Sequence, residues 1–167
     1  MAELNLTQEE IDERIAILRR FRALLEQQRN KFREYLEVIE KQQTAIAEGD
    51  TEALLAHTEL EQQIVANIGN LQKVITPMEK LYESKSAPIF GGGNSNNNEE
   101  AAFIPHLKTD LMKLQQEVLL RNRQNCDMLR SNMAEMKTRM AMFRNPYKNS
   151  RSVYANSSTA SLVNVQG

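Results

Sequence analysis

The chain has 167 residues, of which 41% are hydrophobic and 26% charged, and its formal net charge is -1. This composition predicts one domain or two small ones, and the chain has no run of about 18 uncharged apolar residues that could cross a membrane as a helix. A single cysteine excludes an intrachain disulfide, and the N-terminal residues lack the pattern of a secretory signal, so we expect a cytoplasmic protein with no membrane insertion.

Charge is distributed unevenly along the chain. Residues 1–100 contain 11 Lys and Arg against 18 Asp and Glu, a net charge of -7, and residues 101–167 contain 10 against 4, a net charge of +6. A basic C-terminal part suits an acidic protein partner or nucleic acid. Because no aromatic residues alternate with these cations to stack on bases, we expect no nucleic-acid partner.

The first predicted element is a long helix over residues 8–47. Thr7 has Glu10 three residues on, the spacing of a capping box. Apolar residues then recur at alternating steps of three and four, with Arg22, Arg29 and Gln43 interrupting the same line. So narrow a stripe is typical of a coiled coil, and the helix therefore needs a partner. The apolar members of the line are Ile11, Ile15, Leu18, Leu25, Phe32, Leu36, Ile39 and Ile46.

A short turn predicts that this helix is one arm of an antiparallel hairpin. Gly49 suits the left-handed residue that ends a helix, and Asp50 suits the N-cap of a second helix from 51 to about 76. A pairing in which residue numbers sum to about 100 places apolar residues opposite each other, with Phe32 beside Ile68. Residues 1–84 should therefore form an N-terminal helical hairpin.

A linker and a third helix are predicted to follow. Pro77 removes a helix hydrogen bond and should kink or end the second helix, and residues 85–104 include three glycines and a run of asparagines, which predicts a flexible linker. Pro105 suits the first turn of a third helix over residues 105–144. The predicted fold class is all-α: a long antiparallel hairpin plus a third long helix, with a disordered C-terminal tail.

The apolar stripe of the third helix changes direction along its length. Leu107, Leu111, Leu114 and Val118 should complete a core with the hairpin. Beyond residue 118 the stripe continues on another face, which we interpret either as core or as a binding surface for a partner helix, since methionine-rich surfaces adapt to several partner shapes. Its members are Leu119, Cys126, Leu129, Met133, Met136, Met140 and Phe143.

The residues that could carry catalysis do not converge. His57 and His106 lie in different segments without further ligands at metal-binding spacing, so we expect them to be solvated or partly packed. Cys126 is expected to be a small apolar packing residue. We therefore predict a protein that is not an enzyme and needs no cofactor.

The C-terminal tail, residues 145–167, is too poor in large apolar side chains to hold itself in a core. We expect it to be disordered alone and to order against a partner, or else to act as a passive solubilising end. Its candidate anchors to a partner are Tyr147, Val153, Tyr154, Leu162 and Val163.

Three stretches, taken in order, carry a resemblance to a known family. They are KQQTAIAEGDTEALLAHTELEQQIVANIGNLQKV around the turn, LLRNRQNCDMLRSN in the third helix, and the tail with its NPY and VY. Together they resemble the FlgN family of flagellar type III export chaperones. The resemblance implies a cytosolic, non-enzymatic chaperone that holds hook-filament junction proteins, prevents their premature assembly and delivers them to the export apparatus and its ATPase complex.

The resemblance leaves one main alternative. The same heptad spacing is typical of a structural coiled-coil adaptor or homodimerisation module, in which the third helix pairs with a second copy of the chain. The methionine-rich face would then be buried between two copies of the chain instead of binding a client.

Overall fold

The computed structural model describes the backbone of residues 7–86 and 95–144, and the side chains of residues 7–85 and 102–144. This part of the chain forms three helices, α1 (Gln8–Glu48), α2 (Thr51–Ser86) and α3 (Ser95–Arg144), and contains no strand. The predicted all-α fold is therefore confirmed. Residues up to Met128 form one compact unit, and a second unit starts at Leu129. No described helix is long and apolar enough to span a membrane.

The predicted ends of α1 are confirmed by their hydrogen bonds. Thr7 Oγ1 accepts from the Glu10 amide at 3.3 Å, and Glu10 Oε2 accepts from the Thr7 amide at 2.9 Å, which makes a capping box. Gly49 ends the helix in the left-handed region at φ 71°. Asp50 Oδ1 then accepts from the Ala53 amide at 3.0 Å and caps α2.

The second helix does not end at about residue 76, so of the two predicted effects of Pro77, a kink or an end, the end is wrong. It continues to Ser86 because apolar side chains on both sides of the proline are held by the core. Ile75 is buried, and Met78 and Tyr82 pack against the same cluster. Pro77 itself is exposed, so water can reach the backbone carbonyl that loses its helical partner. Tertiary packing thus outweighs the local cost of the proline.

The third helix begins ten residues earlier than predicted, at Ser95, and Pro105 lies inside it. The predicted linker over 85–104 is therefore wrong at both ends, since α2 covers its first residues and α3 its last ten. Ile104 is almost fully buried, and this burial holds the early turns of α3 against the hairpin. Residues 87–94 and the predicted tail, 145–167, lie outside the described residues.

The register of the hairpin agrees with the predicted pairing. Gln28 Nε2 donates to Gln72 Oε1 at 2.8 Å, and these two residue numbers sum to 100. Near the open end, Lys85 pairs with Glu13. Phe32 and Ile68 belong to the same apolar cluster, as do Leu25 and Ile75. The predicted register of α1 against α2 is confirmed.

The face of α1 that contacts the other two helices is three positions wide, whereas the sequence predicts a narrow stripe. Its central line, which includes Leu18, Leu25, Phe32 and Ile39, is buried. On one side of that line, contacts with α2 are made by Phe21, Gln28, Tyr35 and Gln42. On the other side, contacts with α3 are made by Arg22, Arg29, Glu40 and Gln43.

The part of α3 before Leu129 packs on this stripe with an inward line that begins apolar and becomes polar. Ile104, Leu107, Leu111 and Val118 are buried. The next inward residues are asparagines instead of apolar residues: Asn122 is half-buried, and Asn125 is 5% exposed. The apolar stripe of the sequence therefore changes direction after residue 118, although the buried face of α3 continues along the same line to Asn125.

These asparagines join a polar layer that links all three helices, made of Tyr35, Gln42, Glu61, Asn122 and Asn125. The Tyr35 hydroxyl donates to Glu61 Oε1 on α2 at 2.9 Å and accepts from Asn122 Nδ2 on α3 at 2.9 Å. Gln42 also donates to Glu61, and Asn125 Nδ2 donates to the Ile39 carbonyl at 3.0 Å. Because polar groups that leave water must find partners, this layer favours one register of the three helices.

Phe21 is predicted to be a main stabilising residue of the first unit. It is 0% exposed and stacks on Tyr82, with 5.1 Å between ring centroids. Phe21→Ala should lower the free energy of unfolding, measured by urea denaturation, by about 3 to 5 kcal/mol because it leaves a cavity. Phe143, which is 88% exposed, is the matched control, and Phe143→Ala should change the same quantity by less than about 0.5 kcal/mol. Equal losses in both variants would contradict this assignment of the core.

Tyr35 should make stability depend on alkaline pH. Burial raises the pKa of its hydroxyl above the usual 10.0, and Glu61 raises it further, while the hydrogen bond from Asn122 lowers it. Folding therefore favours the neutral phenol. The stability that Tyr35 contributes is complete below pH 10, and it is lost as the pH rises through the higher pKa of the folded state. Tyr35→Phe should cost about 1 kcal/mol at neutral pH and should reduce this alkaline loss in urea titrations at several pH values. Some loss should remain, because burial also raises the pKa of Tyr82.

Candidate functional site

The second unit presents a row of exposed apolar side chains along α3. Leu129 is half-buried, whereas Met133, Met136 and Met140 are 57%, 63% and 68% exposed, and Phe143 is 88% exposed. Large apolar side chains exposed in a contiguous row commonly mark an interaction surface. We call these five residues the methionine seam.

The spacing of the methionine seam is that of one half of a coiled coil. Its steps are four, three, four and three, so Met133 and Met140 occupy position a of a heptad, and Leu129, Met136 and Phe143 occupy position d. The 16 residues from Leu129 to Arg144 span about 24 Å of helix. This length suits a partner helix of two to three heptads.

Cations flank the methionine seam. Arg130, Lys137 and Arg144 occupy the three e positions, and Arg139 occupies a g position. Arg139 pairs with Glu135 one turn earlier at 2.6 Å, and both side chains are largely exposed. Such an exposed pair contributes little to stability, so it does not prevent Arg139 from meeting a partner. From the sequence, the basic C-terminal part suits an acidic partner and Arg144 could speed the encounter with it, but the other cations were not placed beside the seam because its heptad frame had not been assigned.

Met142 provides an internal reference for the methionine seam. Its exposure, 69%, equals that of Met140 within one percentage point. The two residues are two positions apart, which turns their side chains by about 200° around the helix axis. Met142 therefore shares the chemistry, helix and exposure of Met140 but lies off the seam.

The other residues singled out in the sequence are the tail anchors and the three residues that could carry catalysis, Cys126, His57 and His106. The tail anchors Tyr147, Val153, Tyr154, Leu162 and Val163 lie outside the described residues. Cys126 is exposed, so the expectation that it packs in the core is wrong. It follows the buried Asn125 directly, and adjacent helical positions point about 100° apart. His57 is partly packed and His106 is exposed, as expected.

An open groove between α1 and α2 has a volume of about 650 Å³. Amide side chains such as Asn30 and Asn67 line it together with Leu71 and Val74, and Lys31, which also lines it, is paired with Glu34 at 2.8 Å. Among the described residues, no group of three His, Cys, Asp or Glu is placed to hold a metal ion. The groove is open to solvent, and nothing in it points to a ligand.

The chain has a relative among known proteins. An uncharacterized protein of Treponema pallidum (strain Nichols) is 33% identical to this chain over 139 residues, which make up 83% of this chain and 82% of that protein. The chain belongs to the same family as this Treponema protein. No model of an established protein family matches the sequence, and no solved structure matches it. The relative's description adds no activity, ligand or partner.

The exposure of the methionine seam predicts that its side chains contribute little to stability. Met136→Glu combined with Met140→Glu should change the free energy of unfolding by less than about 0.5 kcal/mol and leave the helix content by circular dichroism unchanged. Leu111→Glu on the same helix is the control, because it would place a charge at a buried position, and it should unfold the first unit. A large loss of stability in the double variant would show that the seam is internal.

Proposed function

We propose that this protein is a cytoplasmic export chaperone of the FlgN type that binds hook-filament junction proteins before their secretion. The observation that supports this most directly is the methionine seam: large apolar side chains, more than half exposed for four of the five, at the spacing that accepts a partner helix. The resemblance of the turn, the third helix and the tail to that family supplies the identity of the client. The function proposed is binding and not catalysis.

The methionine seam suits the task of a chaperone that has several clients or must release one. Methionine is unbranched and polarizable, so its side chains adapt to different apolar surfaces without a fixed complementary shape. A client helix that covers the seam would have its own apolar face shielded from premature assembly. A contact of two to three heptads is also short enough to be reversible.

In this proposal the tail adds a second contact with the client. Its few apolar residues are separated by polar ones, and ordering each residue costs about 1 to 2 kcal/mol of backbone entropy. A long contact of this kind therefore yields a modest net affinity, which suits release at the export apparatus and its ATPase complex.

A structural adaptor that forms a homodimer is the second candidate. The observation that favours it is the same a and d spacing, which two copies of α3 can share. The two functions differ in what covers the seam, and sedimentation equilibrium of the full chain separates them: a stable dimer that dissociates when Met140 is replaced by Glu would support the adaptor.

The matched methionines give the test of client binding. Met140→Glu should weaken the binding of purified hook-filament junction protein to the full chain by at least tenfold, about 1.4 kcal/mol, in isothermal titration calorimetry. The physical reason is that a charge would be placed in an apolar contact. Met142→Glu adds the same charge at the same exposure and should leave affinity unchanged.

The same titration with a chain truncated after Arg144 measures how much the tail contributes to the affinity for the client. We expect unchanged helix content and melting but at least tenfold weaker binding. Equal affinity with and without the tail would leave it as a passive terminus. If the full chain binds no junction protein, the chaperone proposal fails as a whole.

A further inference from the structure

The charges beside the methionine seam carry information about its partner. In a coiled coil the e and g positions of one helix face e and g positions of the other, and their charges decide which helices pair. In the described part of the second unit, residues 129–144, the e positions are all basic and hold Arg130, Lys137 and Arg144, and the g positions hold Asn132 and Arg139. No acidic residue lies at either position, and Glu135 lies at position c, away from the seam.

A second copy of the chain would therefore meet like charges in either orientation. In a parallel pair, Arg139 of one copy lies opposite Arg144 of the other, because g pairs with the e position five residues on. In an antiparallel pair, e faces e, so basic residues such as Lys137 meet one another. Like charges at these positions disfavour self-association even though the apolar seam is self-complementary.

We propose that the methionine seam selects a helix of another protein that carries Glu or Asp at its own e and g positions, and that the same cations exclude a second copy of the chain. This rests on the proposed function, since it specifies the chemistry of the client helix. The apolar residues hold the partner, and the cations determine which partner is accepted. Exposed cations also speed the encounter with an acidic helix, which makes the association rate sensitive to salt.

A membrane surface is the other acidic partner that a basic amphipathic helix could meet. Helices that lie in a membrane interface carry a broad apolar face and strongly polar residues opposite it. The methionine seam is instead a single a and d line, and the side of α3 away from it carries Ala134, Thr138 and Met142 and few charges. The pattern therefore favours a helical protein partner.

The test uses the full chain and two synthetic helical peptides. The peptides share one apolar a and d seam, and one carries Glu at all e and g positions while the other carries Lys. The wild-type chain should bind the Glu peptide at least tenfold more tightly than the Lys peptide at low salt, and the difference should shrink as salt is raised. Equal affinity for the two peptides would overturn the proposal.

Charge reversal on the protein gives the matched comparison. Lys137→Glu combined with Arg144→Glu should remove or invert the preference for the Glu peptide. Lys73→Glu combined with Lys80→Glu changes the net charge of the chain equally at exposed positions of α2 and should keep the wild-type preference. An unchanged preference in the first variant, or the same loss in both, would also overturn the proposal.

Self-association and membrane binding are tested with the same proteins. Wild type should sediment as a monomer, and a mixture of wild type with the Lys137→Glu, Arg144→Glu variant should associate more strongly than wild type alone. A stable wild-type dimer through the seam would contradict the exclusion of a second copy. Tighter binding to phosphatidylglycerol vesicles than to the Glu peptide would assign the cations to a membrane instead.

The results distinguish this inference from the proposed function. The wild-type chain could bind the two peptides with equal affinity, while Met140→Glu weakens the binding of both peptides and of junction protein. The seam would then remain a client site, and the charge selection would be wrong. If the Glu peptide is preferred but junction protein does not bind, the charge selection stands and the chaperone assignment is wrong.

Discussion

The first unit depends on the contacts that α1 makes with α2 and α3 at once. The central line of Leu18, Leu25, Phe32 and Ile39 is buried in one apolar cluster, to which α2 contributes Ile75 and α3 contributes Ile104, Leu107, Leu111 and Val118. Burial of apolar side chains of this size contributes about 1.5 to 3 kcal/mol for each, so the joint covering of this line by α2 and α3 is the main driving force for the bundle.

The polar residues that flank this line add specificity to the driving force. Gln28 pairs with Gln72 on α2, Arg29 lies 3.9 Å from Asp110 on α3, and Tyr35 bonds to both helices. If one helix moved by a turn, the apolar residues would still find apolar neighbours, but these polar groups would lose their partners. A half-buried polar group without a partner is costly, so the flanks select one register from several that the apolar residues alone would accept.

The two units use the same helical periodicity for different purposes. In the first unit the a and d pattern is satisfied within the chain, and its polar flanks pair internally. In the second unit the methionine seam is exposed and its flanking positions carry charges of one sign. Charges of one sign are unfavourable beside a second copy and favourable beside an acidic partner. The proposed role as a holder of secreted helices and the proposed choice of partner both follow from this difference.

The sequence alone was sufficient for the helices and the hairpin register, because capping residues, the glycine turn and heptad spacing act locally or between neighbouring elements. It also predicted the spacing of the methionine seam, since that periodicity is intrinsic to one helix, whereas the exposure of these side chains was decided by the structure. It failed at Pro77 and at the start of α3, where Ile75, Met78 and Ile104 are held in helix by contacts with distant residues. It also assigned no buried role to Gln28, Asn122 and Asn125, because a polar side chain is recognised as buried only when its partners are known. Only the tertiary structure decided these positions, because the environment of a polar side chain depends on which groups the other helices bring to it.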